Sequence, residues 1–115
     1  MLKLDLSYLE DITGGDAEVI QEMLILFIED IPQQISEIKE AIQGNNLEEM
    51  ASHAHKLKPT LQYVGLSEAY EIVKNLEQIG KSGEGKENVK ELFQKLERNS
   101  EEFMPVLKSH ASSLD

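Results

Sequence analysis

Apolar residues recur every three or four positions along nearly the whole chain, which is the period of amphipathic helices and not of strands. Leu6, Leu9 and Ile12 form a short stripe that stops at Thr13-Gly14-Gly15. Asp16 is placed to cap a long second helix, whose stripe runs Ile20, Leu24, Phe27, Ile31, Ile35, Ile38 and Ile42. Pro32 lies inside that run, where a missing amide predicts a kink or a break. Gly44-Asn45-Asn46 supplies a terminating glycine and an N-cap, and Glu48, three residues after Asn45, completes a capping-box pattern.

The third helix carries Leu47, Met50, Ala54, Leu57, Leu61 and Val64 on one face and ends at Gly65. Ser67 is placed to cap a fourth helix with Ala69, Val73, Leu76 and Ile79 inward. Gly80 to Gly85 reads as a loop by composition. The last helix follows Val89, Leu92, Phe93, Leu96, Phe103, Val106 and Leu107, with Pro105 as a second kink. The expected fold is all-α: an antiparallel, up-down four-helix bundle with a short additional N-terminal helix at one end. Met23, Phe27, Met50 and Phe93 are read as core.

A chain of 115 residues with 40% hydrophobic content fits one domain, spanning 1–115. The net charge of -11, from 22 acidic and 11 basic side chains, argues against nucleic acid or an anionic membrane as a partner. No cysteine is present for a disulfide or a thiolate metal site. The N-terminal residues lack the apolar core of a signal peptide, and no run approaches a membrane span. A cytoplasmic protein, or a cytoplasmic module of a larger one, is the expectation.

Within this acidic chain, His53-Ala54-His55-Lys56-Leu57-Lys58-Pro59-Thr60 gathers histidine and lysine on one helix. At about 100° per residue, the two histidines lie about 200° apart, on opposite flanks of the core face. His55 shares its flank with Glu48, Ala51, Ser52, Lys58, Pro59 and Gln62. Small residues before it leave the imidazole open, and a lysine one turn after it can neutralise part of the charge of a captured phosphoryl group. Neutral imidazole is well populated near pH 7, so this pattern suits a phosphate-accepting nucleophile.

The residues Ala54-His55-Lys56-Leu57-Lys58, with Gly65-Leu66 further on, resemble the core motif of the histidine-containing phosphotransfer (HPt) domains of two-component phosphorelays. The resemblance extends to the helical layout of nearly the whole chain. It implies a phosphorelay intermediate: His55 accepts a phosphoryl group from a receiver-domain phosphoaspartate and passes it to another receiver aspartate, with Lys58 assisting. It also implies receiver domains of response regulators and a hybrid sensor histidine kinase as partners. Mg²⁺ is then carried by the receiver, and this chain needs no cofactor. Docking is expected to use the second and third helices around Ala51, Ser52, His55, Lys56, Lys58, Pro59 and Gln62, with the short first helix as a rim. Where the family usually has glycine, this chain has Pro59, which cannot donate to the carbonyl of His55 and is expected to bend the helix there. Aligning on Gly65 brings Glu77 near a position where some members carry a polar donor, but an ionised glutamate cannot donate, so no role is assigned to it.

The competing readings are weaker. His53 lacks a cleared flank and His110 sits near the end of the last helix, so neither is assigned a task. The histidine spacing is not the i,i+4 of a helical metal pair, so no metal site is expected. Gly80 to Lys86 begins like a phosphate-binding loop, but Glu87 stands where a Ser or Thr belongs and a helix precedes it. Without an ATP-binding segment, the chain is expected to be a phosphocarrier and not a kinase. The alternative is a helical interaction bundle that binds receiver or kinase domains without being phosphorylated. A dimerising kinase module is disfavoured because this chain supplies four bundle helices itself, so a monomer is expected.

Overall fold

Hydrophobic periodicity and helix-end chemistry set the element boundaries. The computed structural model describes residues 4–113. Helix α1 spans Ser7–Thr13, α2 Ala17–Gln43, α3 Leu47–Tyr63, α4 Ser67–Ser82 and α5 Val89–Ser113, with one 3₁₀ turn at Lys86–Asn88. Helices α2 to α5 form the bundle: α3 packs between α2 and α4, and α5 closes it against both α2 and α4. Helix α1 packs on α2 at one end. The all-α, four-helix architecture with a short N-terminal helix is therefore as expected from the stripes. No helix among the described residues is long and apolar enough to cross a membrane. Residues 1–3 of the N-terminal stretch, and the last two of the 1–115 domain, lie outside the described residues.

The core is built from the stripes. Ile20, Leu24, Ile31, Ile35 and Ile38 of α2 are buried, as are Met50, Ala54, Leu57 and Leu61 of α3, and Phe93, Leu96, Phe103 and Leu107 of α5. Met23 and Phe27 are only partly buried against it. Ile12 departs from the expectation: Leu9 is the buried residue of α1, while Ile12 is exposed. Phe27, Tyr63 and Tyr8 form a stack from α2 through α3 to α1, with ring centroids 5.9 and 5.5 Å apart.

Several helix ends differ from the sequence reading. Asp16 caps α2 as expected, accepting from the amides of Glu18 and Val19. The α3 cap is Asn46, not Asn45: its Oδ1 accepts from the amide of Glu49, because Asn45 takes the left-handed conformation (φ 54°) of the turn. Ser67 is the first residue of α4, and Leu66 occupies the cap position without a side-chain bond. The loop before α5 is shorter than expected, since α4 continues to Ser82.

None of the prolines breaks its helix. Pro32, Pro59 and Pro105 lie inside continuous helices and all three are exposed. On an exposed face, the carbonyl deprived of its donor can turn to water, and buried neighbours such as Ile31, Leu57 and Phe103 hold the axis on both sides.

Candidate functional site

Helix α3 directs its apolar stripe into the bundle and places His55 just outside that stripe, facing α4. The His55 side chain is 68% exposed, and its Nδ1 lies 2.7 Å from Oε2 of Glu77 on α4. Glu77 is a charged residue in a core position, only 4% exposed. Such a residue is tolerated when paired, and Glu77 is paired three times. Besides His55, it holds Lys58 Nζ at 2.5 Å through Oε1 and Lys81 Nζ at 3.1 Å through Oε2.

The electrostatics follow from that geometry. Burial pushes the Glu77 carboxyl up, but hydrogen bonds from Lys58, Lys81 and His55, with the Lys58 charge, outweigh it and bring the carboxyl down to about 2. Lys58 is pushed up in turn, chiefly by its hydrogen bond to Glu77. An ionised carboxylate can only accept. The proton in the His55–Glu77 bond therefore sits on Nδ1, leaving the Nε2 lone pair free in the neutral ring.

A close helix–helix approach makes this contact possible. A Cβ at Gly80 would sit 2.6 Å from both the Ala51 Cβ and the Leu47 carbonyl oxygen, so α4 reaches α3 only because residue 80 is glycine. Read as a loop signal in the sequence, Gly80 is a packing residue in the last turns of α4. Beside it opens a groove of about 600 Å³ between α3 and α4, lined by Ser52, His55, Lys56, Gly80 and Lys81, among others.

The structure thus gathers most of the expected site. Ala51, Ser52, Lys56 and His55 all border the groove, though Ala51 is buried as its floor. Lys58 is held by the other oxygen of Glu77 and does not line the groove. Pro59 and Gln62 are exposed on α3 beyond it. The groove belongs to α3 and α4. His53 faces away: its Nδ1 is 2.7 Å from Glu37 Oε2 on α2, an ion-pair contact outside hydrogen-bonding geometry. Sequence reasoning named Glu77 without giving it a role, and it missed Lys81. Their i,i+4 spacing was the available signal, but its meaning depends on the α3–α4 contact.

A four-helix bundle presenting an open histidine beside lysines defines a histidine phosphotransfer module. The Hpt domain profile matches residues 22–110, and the chain belongs to that family. Its fold is similar to the crystal structure of histidine-containing phosphotransfer protein B (HptB) from Pseudomonas aeruginosa PAO1. That match has a TM-score of 0.85 and 19% identity, over 96% of this chain and 95% of that one. It is also similar to the HPT domain of the Hpt sensor hybrid histidine kinase from Shewanella, with a TM-score of 0.81 and 19% identity over 96% and 94% of the two chains. No curated protein sequence matches the chain. The role is phosphotransfer in a two-component phosphorelay, and Hpt domains work there with receiver domains and histidine kinases.

Proposed function

We propose that His55 is the phosphoryl acceptor and that Nε2 is the attacking atom. The observation that carries this reading is the pairing of an open imidazole with a buried, ionised carboxylate at Nδ1. When a receiver phosphoaspartate docks, the Nε2 lone pair forms the N–P bond as the P–O bond breaks and its electrons leave with the receiver carboxylate. The product ring is cationic, and the Nδ1 proton stays where Glu77 stabilises it, so no proton has to leave in the step. The reverse sequence, onto a second receiver aspartate, uses the same contacts. Positioning and charge neutralisation carry most of phosphoryl transfer, so a site this spare suffices.

Lys58 assists His55 from one turn away, as the cation that neutralises the carboxylate holding the ring. Mg²⁺ belongs to the receiver: the oxygens of Glu77 are already engaged by Lys58, His55 and Lys81, which leaves the carboxylate poorly suited to a hard cation. The chain acts as a cytoplasmic, monomeric phosphocarrier without kinase activity of its own. Ser52, Lys56, Pro59 and Gln62, exposed around His55, meet the receiver over the floor at Ala51.

The test is exposure of the wild-type chain, His53→Gln and His55→Gln to phosphoramidate, read by intact mass and phosphorus NMR. An acid-labile adduct of one phosphoryl group that disappears only in His55→Gln is the expected result. An adduct that persists in that variant overturns the assignment, and no adduct on folded wild type points instead to an unphosphorylated interaction bundle.

A further inference from the structure

The two lysines that reach Glu77 are not equivalent. Lys58 is bound to Oε1, is only 23% exposed, and does not line the groove. Lys81 is bound to Oε2, the oxygen that also takes the His55 Nδ1 proton, and is 67% exposed. Lys81 also lines the groove onto which the His55 ring opens.

These differences set how readily each ammonium can leave Glu77. An exposed lysine–carboxylate pair contributes little and exchanges easily. A pair shielded from water on both sides is costly to part, because the carboxylate left behind is buried. The charges also differ in use. Lys58 offsets Glu77, so the Lys81 charge is the surplus at this end of the groove. A phosphoryl group on Nε2 brings close to two negative charges there. Lysine carries its charge on a flexible four-carbon stem, which lets it turn from one anion to a neighbouring one without moving the helix.

We propose that Lys81 is the residue that binds the transferring phosphoryl group, turning from Glu77 to the phosphoryl oxygens, while Lys58 stays on Glu77 as a positioning residue. This rests on His55 being the acceptor. In the step, the lone pair of Nε2 forms the N–P bond and the donor's bond to phosphorus breaks towards the donor. Lys81 remains protonated throughout and offsets the charge on the non-bridging oxygens. Lys39, whose ion pair is with Glu97 and which does not line the groove, serves as the control.

Glutamine and arginine variants at Lys81 and Lys58, with Lys39→Gln, are to be compared with wild type in the full chain. Two readouts are needed: the initial rate of phosphorylation by phosphoramidate, and the ¹⁵N shifts of the His55 ring, which report its tautomer. Lys81→Gln is expected to slow phosphorylation about tenfold with ring shifts unchanged, and Lys81→Arg to restore most of the rate. Lys58→Gln is expected to slow it too, but with ring shifts moving towards a tautomer mixture. Lys39→Gln is expected to stay within twofold of wild type. A wild-type rate in Lys81→Gln overturns the proposal while leaving His55 as acceptor. Ring shifts that move in Lys81→Gln as in Lys58→Gln also overturn it, since Lys81 then acts through Glu77. No adduct on wild type sinks both readings together.

Discussion

His55 and Glu77 stand 22 residues apart in sequence, and 2.7 Å apart in space, with the imidazole in water and the carboxylate in the core. In the proposed transfer, the pair divides the work of a nucleophile between two environments. Water gives the receiver access to Nε2, while the core keeps the partner of Nδ1 ionised and fixed. Replacing Glu77 by glutamine leaves a group that can donate or accept, so the tautomer is no longer set. A charge-assisted hydrogen bond contributes about 1.5–3 kcal/mol, part of which is gained only as the ring becomes cationic. Glu77→Gln is therefore expected to slow phosphorylation by phosphoramidate about tenfold, with His55 ring nitrogens that report a mixture. A wild-type rate together with wild-type ring shifts would remove Glu77 from the mechanism.

The same carboxylate makes stability depend on acid. Its ordinary value is 4.5 and in the folded chain it lies at about 2. A depressed folded value means that the unfolded chain binds the proton first, so stability is fully present above about 4.5 and is lost as pH falls towards about 2. Urea midpoints measured from pH 6 down should fall through that window in wild type. Glu77→Gln should start lower, because Lys58 has lost its charged partner, and should show a shallower decline. Parallel declines in the two proteins would show that other carboxylates govern the acid limb.

How much of this was legible in the sequence depends on range. The stripes from Ile20 to Leu107 place the bundle helices because helical periodicity is local and the core only has to agree with it. His55 is legible for a similar reason, since its motif occupies a single helix. Glu77 is not. Four residues after Val73 and one after Leu76, it sits on a buried face where a charge looks out of place until its three partners are known. Those partners meet it only because α4 approaches α3 at Gly80, and glycine followed by Lys81-Ser82-Gly83 reads as a loop. One misread glycine thus concealed both the helix contact and the carboxylate that it positions. The shift of the cap from Asn45 to Asn46 has a smaller cause: two adjacent asparagines serve either role, and the left-handed turn takes the first.

Gly80 is accordingly expected to couple stability to activity. Alanine there gains about 1 kcal/mol of helix propensity, but its methyl would meet the Leu47 carbonyl and Ala51 at 2.6 Å, and backbone cannot swing aside. Overpacking of this kind costs about 1–3 kcal/mol. Gly80→Ala should lower the urea midpoint and, by moving α4 outward, lengthen the His55–Glu77 contact and slow phosphorylation. Gly83→Ala is the comparison: no neighbouring atom lies within 4 Å of its Cβ position, and only its left-handed φ of 76° is strained. That variant should lose stability without changing the His55 ring shifts. Equal effects on the ring from both substitutions would show that the α3–α4 spacing at residue 80 is not what holds Glu77 in place.

Pro59 separates stability from chemistry in the opposite direction. It is exposed within α3 and deprives the His55 carbonyl of its helical donor, yet the helix continues to Tyr63. An interior proline costs about 3 kcal/mol relative to alanine, partly offset by the stiffness it gives the unfolded chain, about 0.4–1 kcal/mol. Pro59→Ala should therefore raise stability by about 2–2.6 kcal/mol, seen as a higher urea midpoint at unchanged slope. The proline ring does not line the groove beside His55, whereas Lys56 and Lys81 do. Phosphorylation by phosphoramidate should consequently stay within about twofold of wild type. A large gain in rate would show instead that the ring crowds the incoming phosphoryl group, and a lower midpoint would show that the turn at Pro59 is one the folded helix needs.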